Sequence, residues 1–219
     1  LVEFCNMNLK YYYWYFHSVL SPKLCDDIIQ HCSSNLEAAK IGGEQNEDDK
    51  PDRWWVEGKT IEQKRKSQVA FFDDRWIYKE IQPYVQLANN LAGWDFDWDW
   101  TEQAQFTKYG LNEHYGWHCD SYSEPYQEVP EGMVGKIRKL SVTVSLTDPE
   151  DYEGGNLEFD FRNNHDYDFT KTENKEVCKG AKVRGSIIVF PSFVWHRVTP
   201  VTSGTRYSMV MWNLGKKWR

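Results

Sequence analysis

The chain has 219 residues, of which 40% are hydrophobic and 16% aromatic, enough for a substantial core. Its formal net charge of −7 disfavours a nucleic-acid-binding protein, and no apolar run reaches the length of a membrane span. The five cysteines form no CxxC pair, and the residues present include no recognisable signal peptide. Cysteine usage of this kind favours a reducing compartment, and we expect a cytoplasmic protein.

The N-terminal region predicts a strand, a helix and a long loop. The aromatic run from Lys10 to His17 is typical of a strand. Ser21-Pro22 combines an N-cap residue with a proline at the first helical position, and apolar residues then follow at helical spacing to about Cys32. Residues 39–58 are polar and acidic, which predicts a loop. Its adjacent Trp54 and Trp55 suit a mobile substrate lid or, equally, a loop tucked onto the core.

A strand and a second helix come next, followed by an alternating segment. Lys66–Phe72 predicts a strand, and Arg75–Leu91 carries apolar residues at helical spacing, with Pro83 weakening or kinking that helix. Apolar and polar residues alternate from Trp94 to Tyr109, which predicts strand structure and places Gln105 and Tyr109 on one face.

The C-terminal half is rich in predicted strands. They are Lys139–Thr147, Asn156–Phe161, Ser186–Phe190 and Arg206–Leu214, separated by a turn at 148–155 and a polar loop at 162–176. Two helices followed by many short strands predict an α+β fold whose C-terminal half is a double-sheet jelly roll.

His118 and Asp120 are two residues apart, so on an extended strand both side chains leave the same face. An imidazole beside a carboxylate forms part of the two-histidine, one-carboxylate site of non-haem iron oxygenases. His196, in an apolar extended segment far downstream, is the natural second histidine. Taken separately, the His118-x-Asp120 triplet also fits a surface turn, and His196 also fits a hydrogen-bonded core histidine.

Arg206 follows His196 by ten positions. Its permanently charged guanidinium suits a co-substrate with a carboxylate, which it can bind through two hydrogen bonds, although a lone arginine is more often solvated. The order and spacing of His118, Asp120, His196 and Arg206 together favour a metal site over these separate alternatives.

Five segments extend this pattern, and they are Gln105–Tyr109, Tyr115–Asp120, Gly154–Phe159, Phe190–Ser192 and Arg206–Trp212. In this order the chain resembles the Fe(II)- and 2-oxoglutarate-dependent dioxygenases, in their prolyl 4-hydroxylase-like branch. The resemblance implies a double-stranded β-helix (a jelly-roll or cupin-like core) with N-terminal supporting helices. It implies one domain over 1–219, in which 1–99 supports the core and 100–219 forms the catalytic jelly roll.

The resemblance also implies roles for individual residues. His118, Asp120 and His196 would ligate Fe(II). Arg206 and Tyr109 would bind the C5 carboxylate of 2-oxoglutarate. The implied lining of the co-substrate pocket is Ser208, Trp212, Val198 and Leu157. Tyr115 would stand beside the first ligand near the substrate, and the family's lid falls near residues 49–60, which would bring Trp54 and Trp55 to the substrate.

The implied reaction consumes O2 and 2-oxoglutarate, releases succinate and CO2, and hydroxylates a prolyl residue of a protein or peptide, with ascorbate as reductant. The alternatives are the same chemistry on a free amino acid, a small metabolite or a nucleic acid, and a non-catalytic jelly roll that binds a metal or ligand. Zn(II) or Ni(II) would compete for such a site. His114 is the rival ligand to His118, and we expect it to lie outside the site.

Overall fold

The computed structural model describes residues 9–39, 64–122, 124–161 and 174–218. Its two α-helices pack against one face of a β-sheet. Helix α1 (Pro22–Cys32) begins at the predicted cap, where Ser21 Oγ accepts a hydrogen bond from the Leu24 amide at 3.2 Å. Helix α2 (Arg75–Leu91) continues through Pro83, so the proline does not end the helix, and the side chain of Pro83 is exposed.

Strands are numbered in chain order, and those described form two main antiparallel sheets and a short ribbon. The larger sheet runs in the order β1 (Trp14–Phe16), β12 (Ile187–Pro191), β8 (Lys136–Ser145), β15 (Arg206–Lys216), β6 (Ala104–Tyr109), β4 (Gln68–Phe72) and β2 (Glu37–Ala38), with β5 (Trp100–Thr101) also paired to β15. The smaller sheet runs in the order β11 (Lys175–Val177), β10 (Leu157–Asp160), β13 (Trp195–Val198), β7 (His114–His118) and β3 (Arg65–Lys66). The ribbon pairs β9 (Tyr152–Gly154) with β14 (Val201–Gly204).

The two faces of the larger sheet meet different surroundings. Its outer face packs on the helices through fully buried residues such as Phe106, Val142 and Met209. Its inner face looks toward the smaller sheet, where Phe190 of β12 packs with Leu157 and Phe159 of β10. Each strand therefore alternates between a helix-facing residue and an inward one. The arrangement confirms the predicted α+β fold with a jelly-roll core, although the two sheets remain separate hydrogen-bonded sheets.

The prediction of a single strand over Lys66–Phe72 is wrong in one informative respect. Ser67 separates β3, which pairs with β7 in the smaller sheet, from β4, which pairs with β6 in the larger one. One short segment therefore connects the two sheets. Residue alternation reports burial on a face and cannot distinguish one sheet from another, which is why the sequence suggested a continuous strand.

The prediction of strand structure from Trp94 onward is also wrong for residues 94–99. The Asn89 side chain accepts from the Phe96 amide and donates to the Phe96 carbonyl, both at 3.0 Å. These bonds hold the segment against the end of α2, and Asp95 has a positive φ of 50°. Trp94 and Phe96 are still buried and Asp95 is exposed, so the pattern of burial imitates a strand.

Within the described ranges, no helix combines the length and the apolar character needed to cross a membrane.

We expect Phe106→Ala to destabilise the fold by about 3–5 kcal/mol, because it leaves a cavity under a fully buried ring. The matched control is Phe71→Ala on the adjacent strand, where the ring is 53% exposed and the cost should stay near about 0.5 kcal/mol. Urea unfolding of both variants measures the difference. Equal costs would contradict this packing.

Candidate active site

The smaller sheet brings the predicted metal-binding residues together. His118 ends β7 and lies directly opposite His196 of β13 in the strand register, while Asp120 follows two residues after His118. One ligand atom from each of the three side chains lies within 4.8 Å of the others. Asp120 Oδ1 is 3.6 Å from His118 Nε2, and Asp120 Oδ2 is 3.5 Å from His196 Nε2.

The backbone determines which nitrogen each histidine offers. Nδ1 of His118 lies 2.8 Å from the Gly116 carbonyl, and Nδ1 of His196 lies 2.9 Å from the Val194 carbonyl. A carbonyl only accepts, so each Nδ1 carries the proton and each Nε2 keeps its lone pair. Burial, reinforced by the neighbouring His196, lowers the pKa of His118 to about 3. His118 is therefore uncharged at neutral pH, and its Nε2 offers a lone pair to a metal.

Asp120 is held as a carboxylate despite being only 6% exposed. Burial by itself would raise its pKa, but the adjacent His196 and His118, with the Arg138 guanidinium and a Ser141 hydrogen bond, lower the pKa to about 2. Ser141 Oγ donates to Asp120 Oδ2 at 2.7 Å, and the Asp120 amide donates to the Ser192 carbonyl at 2.9 Å. These contacts orient the carboxylate toward the two histidines.

Two imidazole lone pairs and one ionised carboxylate on a common side fit a divalent metal such as Fe(II). His114 lies outside this cluster. Its Nδ1 is 3.3 Å from the carbonyl of Asn112.

A guanidinium lies in the same space between the sheets. Arg206 is 2% exposed, and its Nη1 donates to Ser208 Oγ at 3.2 Å, while its buried Nη2 has no hydrogen-bond partner among the described residues. A β-carbon on Gly155 would come within 2.9 Å of Arg206 Cδ, so glycine leaves room for this side chain. Tyr109 faces Arg206 across the strand pair, with its ring centre 5.4 Å from Arg206 Cζ.

The remaining predicted pocket residues surround these groups. Val198 and Leu157 pair across β13 and β10. Within the described ranges the buried Trp212 indole Nε1 has no hydrogen-bond partner, and the Arg138 guanidinium lies 3.9 Å from the centre of a Trp212 ring. Tyr115 stacks on the His118 ring at 3.6 Å between centroids. Trp54 and Trp55, predicted near the substrate, lie outside the described residues.

Sequence reasoning missed several residues that shape the site. Ser141 was placed only in an alternating strand, although its position on the polar face of that strand was a usable signal. Gly155 was assigned to a turn, and its contact with Arg206 has no local signature. Arg65 precedes the predicted strand and belongs to the smaller sheet.

The sequence model of a protein family, the 2OG-Fe(II) oxygenase superfamily, matches residues 104–213. These residues span β6 to β15 and include the three side chains of the His118–Asp120–His196 cluster. The chain belongs to this superfamily. Fe(II), 2-oxoglutarate and O2 are accordingly the cofactor and co-substrates that the site has to accommodate, and the donor set described above fits the iron.

Curated relatives of this 2OG-Fe(II) oxygenase are bacterial PKHD-type hydroxylases. One from Azoarcus sp. (strain BH72) is 39% identical over 110 residues, covering 48% of this chain and 40% of the relative. Another, from Xylella fastidiosa (strain M12), is 31% identical over 114 residues, covering 51% of this chain and 44% of the relative. The chain thus matches less than half the length of each of these relatives.

Solved structures share the fold of this 2OG-Fe(II) oxygenase over most of its length. A viral collagen prolyl hydroxylase from Paramecium Bursaria Chlorella virus-1 superposes with a TM-score of 0.59 at 20% identity, covering 94% of this chain and 97% of that one. A Pseudomonas putida prolyl-4-hydroxylase gives 0.60 at 17% identity, covering 95% of each chain. A Trichoplax adhaerens prolyl hydroxylase with a hypoxia inducible factor peptide fragment gives 0.61 at 12% identity, covering 92% and 83%.

We expect Asp120→Ala to weaken Fe(II) binding by more than about 100-fold, because it removes the only ionised ligand of the cluster. His114→Ala is the matched control, since its imidazole lies outside the cluster, and it should bind the metal normally. Anaerobic calorimetric titration of Fe(II) measures both. Loss of binding in the His114 variant alone would show that the metal is held elsewhere.

Proposed function

We propose that this chain is a 2-oxoglutarate-dependent dioxygenase that hydroxylates a C–H bond of a prolyl residue in a protein or peptide, releasing succinate and CO2. The observation that carries this proposal is the pairing of two features in one buried space. The cluster of His118, Asp120 and His196 offers three ligands, and Asp120 and Arg206 both act on the buried Tyr109, which places them in one region. The buried Nη2 of Arg206 has no hydrogen-bond partner among the described residues.

Fe(II), when bound with 2-oxoglutarate and O2, supplies the oxidising chemistry. The chain supplies binding and positioning. A cluster that offers three protein ligands leaves coordination positions for small molecules. A co-substrate with two carboxylates can then bind with one end near the metal ligands and the other at Arg206.

The Arg206 guanidinium is preorganised to bind the far carboxylate. Ser208 holds Nη1, so the side chain does not have to be ordered when the ligand arrives. Burial strengthens a charge-assisted hydrogen bond, and an unpaired buried guanidinium is costly until an anion satisfies it. Tyr109 has a hydroxyl for the same carboxylate, while Val198, Leu157 and Trp212 would line the pocket and exclude water.

Three observations support the remainder of the proposal. The fold is shared with prolyl hydroxylases, of which one was solved with a peptide fragment and another is named for collagen. The helices that support the core share one hydrophobic cluster, running from Leu20 to Met211, with β6, β8, β12 and β15 of the larger sheet, so we propose a single domain over residues 1–219. Tyr115, stacked on His118, is the described aromatic residue placed to contact a substrate.

Succinate formation from 2-oxoglutarate under air, with Fe(II) and ascorbate, tests the reaction. A proline-rich peptide should stimulate succinate formation and gain the mass of one oxygen atom. Succinate that no peptide stimulates would retain the oxygenase and reject the peptide substrate. Absence of succinate from iron-loaded protein would reject the proposed activity.

Arg206→Ala should raise the 2-oxoglutarate concentration needed for half-maximal binding by at least about tenfold, because it removes a charge-assisted contact. Fe(II) affinity should be nearly unchanged. Arg184→Ala is the matched control, since Arg184 forms an ion pair with Asp26 and contacts the Leu146 carbonyl instead of the site. Calorimetric titration of 2-oxoglutarate into the iron-loaded variants measures the effect, and an unchanged affinity in the Arg206 variant would contradict the assignment.

A further inference from the structure

A second buried guanidinium, that of Arg65, belongs to the smaller sheet, whereas Arg206 belongs to the larger one. Arg65 is in β3, directly across the strand pair from Tyr115, and Tyr115 in turn pairs with Val198 of β13. The Arg65 guanidinium lies 4.5 Å from the centre of the Tyr115 ring. Because Tyr115 stacks on His118, Arg65 is connected to the metal-binding cluster through a single aromatic ring.

Arg65 is buried without an ionic partner among the described residues. It is 7% exposed, its Nε donates to Ser67 Oγ at 3.1 Å, and its buried Nη2 has no hydrogen-bond partner in the part of the chain that the structure describes. Arg138, also near the site, is paired with a carboxylate, as buried guanidinium groups usually are. Its Nε and Nη2 donate to the two carboxylate oxygens of Glu102 at 2.7 and 2.6 Å. Arg65 shares its unpaired state with Arg206, the proposed binding group for the co-substrate.

The formal charges at the site also support an anion-binding role for Arg65. The two positive charges of Fe(II) and the charge of Arg206 are matched by Asp120 and the two carboxylates of 2-oxoglutarate. Glu102 matches Arg138. Glu113, another carboxylate that acts on Tyr109, accepts a hydrogen bond from the Gly110 amide, and no ion pair joins Arg65 to a carboxylate among the described residues. A buried charge without a partner is strongly unfavourable. A further anion at the site would remove this cost.

We propose that Arg65 binds a carboxylate of the substrate, so that the chain acts on an anionic amino acid or peptide whose carboxylate lies close to the hydroxylated residue. This inference rests on the proposed dioxygenase function. The carboxylate belongs to a free amino acid, to the C-terminus of a peptide or to an acidic side chain beside the proline. All three present the same planar pair of oxygens to the guanidinium.

The geometry explains how such a substrate would be positioned. Ser67 holds Nε, and the Tyr115 ring supports one face of the guanidinium, so that the buried Nη2 is the group left to bind. Burial raises the pKa of Tyr109, and the positive charges of Arg65 and Arg206 oppose that rise. Tyr109 therefore lies within the field of both arginines. One guanidinium would serve the co-substrate and the other the substrate.

Matched pairs of probes, differing only in charge, test this proposal. They are L-proline against L-prolinamide, acetyl-glycyl-L-proline against its C-terminal amide, and acetyl-prolyl-aspartic acid amide against acetyl-prolyl-asparagine amide. Binding to the Fe(II)- and 2-oxoglutarate-loaded protein is measured anaerobically by calorimetry, so that no turnover is needed. The acidic member of at least one pair should bind at least about tenfold more tightly than its neutral partner. The pair that responds identifies the source of the carboxylate.

Arg65→Gln should abolish this preference for the acid while leaving Fe(II) and 2-oxoglutarate binding nearly unchanged. Arg65→Lys, which keeps the charge but loses the planar pair of donors, should retain part of it. Arg184→Gln is the matched control and should behave as the natural chain. If the Gln variant does not fold, the comparison of probes on the natural chain and on Arg65→Lys still decides the question.

Three results would overturn the proposal: neutral probes that bind as tightly as acids, no binding of any acid, or loss of 2-oxoglutarate affinity in Arg65→Gln comparable to that in Arg206→Ala. The last would place Arg65 in the co-substrate pocket. Each is distinct from a failure of the proposed function, which would appear as absence of 2-oxoglutarate-dependent succinate whether or not a probe binds.

Discussion

The structure depends on keeping Asp120 charged inside a nearly closed space between two sheets. Burying a carboxylate is unfavourable, and here the cost is offset by contacts from both sides. The two histidines come with the smaller sheet, while Ser141 belongs to β8 of the larger one. The Asp120 amide also binds the Ser192 carbonyl, just beyond β12. The carboxylate thus links two sheets whose described strands share no ladder of backbone hydrogen bonds.

Much of this site was accessible from the sequence because it follows strand periodicity. His118 and Asp120 were predicted to share a face, and the structure places both side chains toward His196. Arg206 and Ser208 are likewise two residues apart on a predicted strand, and the structure joins them by a hydrogen bond. Positions of this kind are determined by local backbone geometry, which a single sequence reports well.

The features that strand periodicity alone does not predict depend on irregular backbone or on long-range pairing. Tyr115 and His118 are an odd number of residues apart, yet they stack on each other, because the pairing of β7 with β13 shifts by one residue. The division of the predicted strand at Ser67 depends on which sheet each half joins. Pairing partners far away in the chain leave no trace in the alternation of apolar and polar residues, so neither feature could be read from composition or spacing.

The position of β15 in the larger sheet has a consequence for biosynthesis. This strand follows every other described strand in the chain, yet it lies in the interior of the sheet, between β8 and β6. While a ribosome is still making the chain, β8 and β6 lack the neighbour that joins them and expose open edges. The sheet is completed only when β15 inserts, which requires distant segments to meet and favours slow folding. Nascent forms of this protein are therefore vulnerable to edge-to-edge association until the last strand emerges.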